Sequence, residues 1–218
     1  MHGFMRKLLR LFYQHFYHGF AWTYDFVAAV VSIGRWKEWV FASLPYIHGP
    51  QVLEIGFGPG HLQVELNRKG FHTFGLDESQ QMIRRTRANL VRNRLPSALS
   101  RGYAQFLPFV ADSFDSIVAT FPSVYVTDHF VLAEIRRVLK PSGRFVLVPM
   151  AWIWGKSFTD RAAKWLFHIT GQSDELTDRF EDRIKTVLTE AGFRVEIIHA
   201  EIRYSTVLIV VAEIDNGV

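Results

Sequence analysis

Val52-Leu53-Glu54-Ile55-Gly56-Phe57-Gly58-Pro59-Gly60-His61-Leu62 is the stretch on which the reading of this chain turns. An apolar run with β-branched residues, Val52 to Ile55, ends abruptly in three alternate glycines, and a helical-looking segment follows. That is the pattern of a buried strand, a tight turn and a helix start. Glycines in such a turn adopt φ > 0 and let a ligand approach the backbone closely. The first N–H groups of the following helix are free to face that ligand. The functional reading is a nucleotide-type cofactor lying over the turn. The structural reading is a strand-to-helix turn that binds nothing.

The spacing separates two cofactor classes. The dinucleotide fingerprint G-x-G-x-x-G needs a third glycine at position 61, where this chain has His61. What stands here is E-x-G-x-G-x-G, which resembles the first motif of the class I S-adenosylmethionine (SAM)-dependent methyltransferases. The resemblance implies a glycine loop, Gly56, Gly58 and Gly60, bent under the methionine part of SAM. It also implies that Glu54 helps hold the amino end.

Further motifs extend the resemblance over residues 50 to 214. Phe71 to Leu76 reads as a second strand ending at Asp77. An acid there, about 20 residues beyond the glycine loop, is the ribose position of Rossmann-like sites. A carboxylate accepts both ribose hydroxyls; the plainer role for Asp77 is a helix N-cap. Asp77-Glu78-Ser79-Gln80-Gln81-Met82-Ile83 is similar to the family's D-x-S-x-x-M-L. This implies that Met82 packs on the adenine face, against the alternative of ordinary core packing. Gly102-Tyr103-Ala104-Gln105-Phe106-Leu107-Pro108-Phe109 resembles the family's G-D-A-E-x-L-P-F. Tyr103 departs from the Asp and Gln105 from the Glu, while Ala104 still offers its N–H and Gln105 an amide oxygen to the adenine edge.

Asp112 to Thr120 reads as a turn feeding a strand, followed by Thr120-Phe121-Pro122-Ser123 at the strand's carboxyl end. Ligands bind beyond those ends in open α/β sheets, so Thr120, Phe121 and Tyr125 are candidates to line the transfer site. The Asn/Asp-Pro-Pro-Tyr motif of amine and amide methylases is not present there. A helix from Asp128 is expected to stop at Arg137-Val138-Leu139-Lys140-Pro141-Ser142-Gly143, where Pro and Gly end helices. Arg144 to Met150 is the fifth strand. A helical stripe runs from Leu176 to Leu188. Phe193 to Ile198 and Ser205 to Ile214 form an antiparallel edge hairpin.

Composition bounds the rest. The 218 residues are 49% hydrophobic and 21% charged, which excludes a disordered chain and favours one domain with a real core. With no cysteine, disulfides, zinc–thiolate sites and cysteine nucleophiles are excluded. The histidines show no ligand-type spacing, so no metal is expected. A net charge of +4 permits an anionic partner without demanding one. The basic run Arg84, Arg85, Arg87, Arg92 and Arg94 contains no aromatic residue to stack a base. It is read as a solvated helix face, and no nucleic acid is expected. Residues 1 to 48 are aromatic and basic. Gln14, His15, His18 and Asp25 interrupt any signal-peptide core. No run reaches the ~20 apolar residues of a membrane span. Leu8, Leu11, Phe12 and Phe16 with Arg6, Lys7 and Arg10 describe either a helix that touches lipid or, preferred here, one packed on its own domain.

The expected fold is α/β: a Rossmann-like, seven-stranded, mostly parallel sheet with helices on both faces, an antiparallel last strand and an N-terminal helical cap. The expected organisation is one domain, 1–218, with the cap over 1–48, a SAM-binding core over 49–214 and an aromatic insert over 151–173. The candidate cofactor-binding set is Glu54, Gly56, Phe57, Gly58, Gly60, Asp77, Glu78, Met82, Ala104, Gln105, Thr120 and Phe121. Candidate acceptor contacts are Tyr17, Tyr24, Tyr125 and Trp152. Tyr24-Asp25 resembles a short Tyr-Asp signature ahead of the first motif in small-molecule methyltransferases. The implied reaction is methyl transfer from SAM, giving S-adenosylhomocysteine. The acceptor is read as small and apolar or amphiphilic: a lipid head group, a quinone or an aromatic metabolite. Tyr24, Tyr125 and His129 are the candidate bases, with no His/Asp pair placed to decide among them. A SAM-binding protein without transfer is the alternative, and His61 argues against a nicotinamide oxidoreductase. The expected place is the cytoplasm, with the N-terminal helix the candidate contact with a membrane surface. Oligomeric state is not legible in the chain.

Overall fold

Strand β1, Gln51–Ile55, lies in the middle of a seven-stranded sheet. The computed structural model describes residues 35–153 and 174–215. The other strands are β2 (His72–Asp77), β3 (Ala98–Arg101), β4 (Phe114–Thr120), β5 (Leu139–Ile153), β6 (Phe193–Ile202) and β7 (Ser205–Ile214). The described helices are α1 (Trp36–Phe41), α2 (His61–Arg68), α3 (Gln80–Arg92), α4 (His129–Val138) and α5 (Asp174–Glu190). The sheet order is β3-β2-β1-β4-β5-β7-β6. The β2–β1, β3–β2, β1–β4 and β4–β5 pairs are parallel, and β7 runs antiparallel to both β5 and β6. The mostly parallel sheet with an antiparallel last strand is as the sequence implies.

Alternation along the strands divides the core between the two faces. Leu53, Ile55, Ile117, Phe145 and Leu147 pack on one face with Val131, Ile135 and Val138 of α4 and Ile184 and Leu188 of α5. Val52, Val118, Val146 and Val148 pack on the other with Trp39 and Val40 of α1 and Leu62 and Leu66 of α2. A two-sided apolar sheet is buried only if helices cover both faces, and they do. The chain runs outward from β1 to β3 and then returns to β4 on the other side of β1. The carboxyl ends of β1 and β4 therefore flank a topological switch point, where open α/β sheets leave a crevice.

Three boundaries differ from the sequence reading. Strand β2 starts at His72 and includes Asp77, whose partner in β3 is Arg101. The Leu139-to-Gly143 run leads directly into β5: Leu139 is extended (ψ 139°) and pairs with Phe114. A register shift between Phe114 and Ser116 absorbs the extra residues, and Lys140 Nζ lies 2.7 Å from Asp115 Oδ1. Strand β6 continues to Ile202 because a two-residue turn, with Arg203 at φ 52°, closes the hairpin on the Ile202–Ser205 pair. Of the expected cap, residues 1–34 lie outside the described residues, as do 154–173 of the aromatic insert.

Candidate active site

The glycine loop is built by backbone geometry. Gly56, Gly58 and Gly60 have φ of 72°, 50° and 77°, a region that side chains with a Cβ seldom enter. The Gly56 N–H bonds the Leu76 carbonyl at 2.7 Å, tying the loop to the end of β2, and the Gly60 N–H bonds Phe57 O at 2.9 Å. Thr86 of α3 donates from Oγ1 to the Gly58 carbonyl at 2.8 Å. A Cβ on Gly60 would collide with that threonine, whereas a Cβ on Gly58 would meet nothing within 4 Å. The loop is clamped from beneath at Gly60 and open above at Gly58.

Glu54 is the anomaly of the site. It stands in the central strand, 1% exposed, among apolar neighbours. Its Oε2 is buried without a hydrogen-bond partner. Burial pushes the carboxyl up to about 8; a hydrogen bond from Gln63 opposes that, and the Asp77 charge adds to it. An unpaired buried carboxyl is costly to fold around. Groups of this kind gather at functional sites. Glu54 lines a cleft with Gly56, Phe57, Gly58 and Pro59 of the loop, Trp36 and Val40 of α1, His61 and Leu62 of α2, and Thr120 at the end of β4. A cation entering that cleft would find the orphaned oxygen.

Asp77 is not the N-cap of α3 but accepts two backbone N–H groups. Its Oδ2 accepts the Gly58 N–H at 3.0 Å and its Oδ1 the Ser79 N–H at 2.8 Å. The cap of α3 is Ser79, whose Oγ accepts the Met82 N–H at 3.3 Å. Asp77 is therefore the brace of the glycine loop. Its carboxyl is raised by burial, held back by the two N–H bonds and raised further by Glu78. Each oxygen keeps a lone pair for a hydroxyl.

The remaining candidates fall around this centre. The Phe57 ring is buried against Gly75, where a Cβ would sit 2.6 Å from it. Met82 is half-buried and Glu78 exposed. Ala104 is buried. Gln105 spends its amide N–H on Asp128 Oδ2 at 3.2 Å, which leaves its oxygen toward other partners. Tyr125 reaches the loop: its hydroxyl would lie 2.9 Å from a Cβ on Gly56. Phe121 follows Thr120 with φ 49°. His129 is exposed at the start of α4, 3.7 Å from Asp128 and stacked beside Phe130. Trp152 packs into the core on the other face of the sheet, 6.1 Å from His199, and does not line the cleft. Tyr17 and Tyr24 lie outside the described residues. Trp36, Val40, Pro59, His61 and Leu62 line the cleft although no sequence reading selected them. His61 and Pro59 were legible as neighbours of the loop. Trp36 was not, because its helix meets the loop only in the fold. Among the described residues, no group of three or more His, Asp or Glu is placed to hold a metal ion.

Residues 52–143 match the model of a methyltransferase domain family. The chain is 28% identical over 144 residues to a ubiquinone/menaquinone biosynthesis C-methyltransferase of Geotalea daltonii, covering 62% of this chain and 61% of that protein. It is 32% identical over 145 residues to a demethylmenaquinone methyltransferase of Thermotoga maritima, covering 63% and 61%. The chain thus spans about three fifths of the length of the curated relatives it matches. Among solved structures it resembles a S-adenosyl-L-methionine-dependent methyltransferase, so described provisionally, from Methanococcus maripaludis. The TM-score is 0.64 at 20% identity, covering 91% of this chain and 94% of that one.

Proposed function

We propose, for a chain whose residues 52–143 match the model of a methyltransferase domain family, that it transfers a methyl group from SAM to a small apolar acceptor. The observation that carries this reading is the orphaned Glu54 Oε2 beside the open side of the glycine loop. The residues fit the cofactor. Glu54 offers a buried carboxylate to the α-ammonium, the space above Gly58 admits the methionine chain, and Asp77 keeps lone pairs for the ribose hydroxyls. Met82, Ala104 and Gln105 are assigned to the adenine, with Gly56, Phe57, Gly60, Glu78, Thr120 and Phe121 completing the cofactor wall.

Bound SAM supplies an electrophilic methyl on a sulfonium, whose sulfur–carbon bond breaks as the acceptor's bond to that carbon forms. The chain's part is positioning and electrostatics. Burial holds the Glu54 carboxyl up to about 8, so it carries a proton at neutral pH and would release it on meeting an ammonium. Apolar Val40, Leu62 and Trp36 exclude water from the same cleft. Tyr125, whose hydroxyl stands over Gly56, is the described candidate to touch the acceptor. In this reading residues 1–48 cap the cleft, 49–214 form the cofactor-binding core and 151–173 add an aromatic insert. The names of the two curated relatives favour a quinone type of acceptor, and one of them names methylation at carbon. No described helix is long and apolar enough to cross a membrane.

The test uses the full chain with SAM carrying a labelled methyl group and a lipid extract, split into organic and aqueous phases. Label in the organic phase is the expected result. Label confined to the aqueous phase would overturn the apolar acceptor. SAM bound with no label transferred would favour a binding protein without catalysis.

A further inference from the structure

Three rings run from the core to the wall of the cleft. Trp39 is the inner one, 2% exposed, its Nε1 donating to Ser205 Oγ of β7 at 3.0 Å. Phe121 is next, its centroid 6.2 Å from Trp39 at an interplanar angle of 40°. Trp36 is the outermost, 4.3 Å from Phe121 at 33°, and it lines the cleft with Glu54, Gly56 and Thr120.

The middle ring is held at a cost. Phe121 has φ 49°, a left-handed conformation that is unusual for a bulky residue. Its N–H bonds Val148 O at 2.6 Å, anchoring the turn to β5. The observed outlier lies at the carboxyl end of β4, where strain that a fold retains points to function. Its effect is to bring the Phe121 ring under Trp36, so that the indole stands at the cleft as a braced plane.

We infer that Trp36 is an acceptor-positioning residue, and that the acceptor it selects is a planar conjugated ring. The inference rests on the methyl-transfer reading above. The other walls leave this role to Trp36. Glu54 and the glycine loop carry the polar recognition, Val40 and Leu62 are aliphatic, the Phe57 ring is buried against Gly75, and His61 at the start of α2 carries a polar ring. Trp36 is the aromatic plane beside Thr120, at the end of the strand that borders the switch point. An offset-stacked ring gains on such a plane beyond its buried area. A flexible polar head group gains no stacking there. The braced indole thus sets the angle at which a flat acceptor presents its edge to the methyl group.

The experiment measures SAM affinity by calorimetry and methyl transfer to two probes, a short-chain 1,4-naphthoquinol and phosphoethanolamine. The proteins are wild type, Trp36→Leu and Trp36→Phe in the full chain. Leu keeps an apolar contact and removes the π face; Phe restores a plane. The expected result is SAM affinity within about twofold in all three. The KM for naphthoquinol should rise about tenfold or more in Trp36→Leu and recover most of the way in Trp36→Phe. Equal transfer by the Leu variant would overturn the inference, and so would a parallel loss of SAM affinity, which would place the ring on the cofactor. Wild-type transfer to phosphoethanolamine and not to the naphthoquinol would overturn it while leaving methyl transfer standing. Failure of wild type to bind SAM would instead sink the reading on which the inference rests.

Discussion

Glu54 is the residue at which sequence and structure say the most different things. In the sequence it is the acid of a motif. In the fold it is a carboxyl held up to about 8 by burial, with one oxygen unpaired. The consequence for stability has a definite sign. An unfolded glutamate titrates near 4.5, so between that pH and about 8 the folded chain holds a proton that the unfolded chain has lost. Stability then falls as pH rises through this window, at most by about 1.4 kcal/mol per unit. Glu54→Gln removes the titration. Urea unfolding at pH 5, 6.5 and 8 should show the variant gaining on wild type at each step, and a constant difference would refute the assignment. Asp77 calls for a pair of variants. Asp77→Ala strands the Gly58 and Ser79 N–H groups and should cost roughly 1–3 kcal/mol of stability. Loss of SAM binding in that variant would therefore report a loosened loop. Asp77→Asn keeps one carbonyl acceptor, so its melting temperature should fall less while SAM affinity falls at least tenfold. Unchanged affinity would remove the ribose role. The sequence marks both acids by position after a strand. It does not show that Asp77 already serves two backbone donors, because those donors converge only when β1 and β2 pair.

At the scale of the element, the strand–loop–helix unit was legible in full. A β-branched apolar run, alternate glycines and a helical pattern leave one local solution, and β1, the loop and α2 adopt it. The glycines are not interchangeable, and two substitutions separate them. Gly60→Ala combines a left-handed φ with a collision against Thr86, whose hydroxyl holds the Gly58 carbonyl. It should lower stability by about 1–3 kcal/mol, read as a drop in melting temperature, and weaken SAM binding as a consequence. Gly58→Ala meets open space. It should cost stability only its backbone strain, about 1–2 kcal/mol, yet block the cleft more severely. A Gly58→Ala protein that binds SAM like wild type would show that no ligand lies over the loop. The element boundaries that sequence missed share a cause. The helix-ending Lys140-Pro141-Ser142-Gly143 carries local stop signals, which do end α4, but whether the chain then loops or pairs is set by the neighbouring Phe114 and Asp115. The basic face of α3 was read from composition as solvated, and Arg84, Arg87 and Arg92 are exposed.

For the whole molecule, α1 links the cleft to β7 along the same face of the sheet. Trp39 reaches across to Ser205, whose hydroxyl accepts from the indole and donates to Ile202 O at 3.0 Å. Ser205→Ala would leave the Trp39 N–H buried and unpaired, at roughly 1–3 kcal/mol. A chain of this size should then melt about 2–4 °C lower per kcal/mol. If the ring stack transmits this loosening to Trp36, acceptor KM should rise in the same variant with SAM affinity unchanged. Sequence alone determined the fold class, the glycine loop, the two acids and the succession of strands along the chain, because each is written in local periodicity, turn chemistry or motif spacing along a continuous stretch. Tertiary structure alone decided that Trp36 and Phe121 meet, that one oxygen of Glu54 is left unpaired, that Tyr125 stands over Gly56 and that Trp152 lies on the other face of the sheet. Those facts depend on which residues far apart in the chain share a face of the sheet. Strand pairing and helix docking settle that, and no local pattern encodes it.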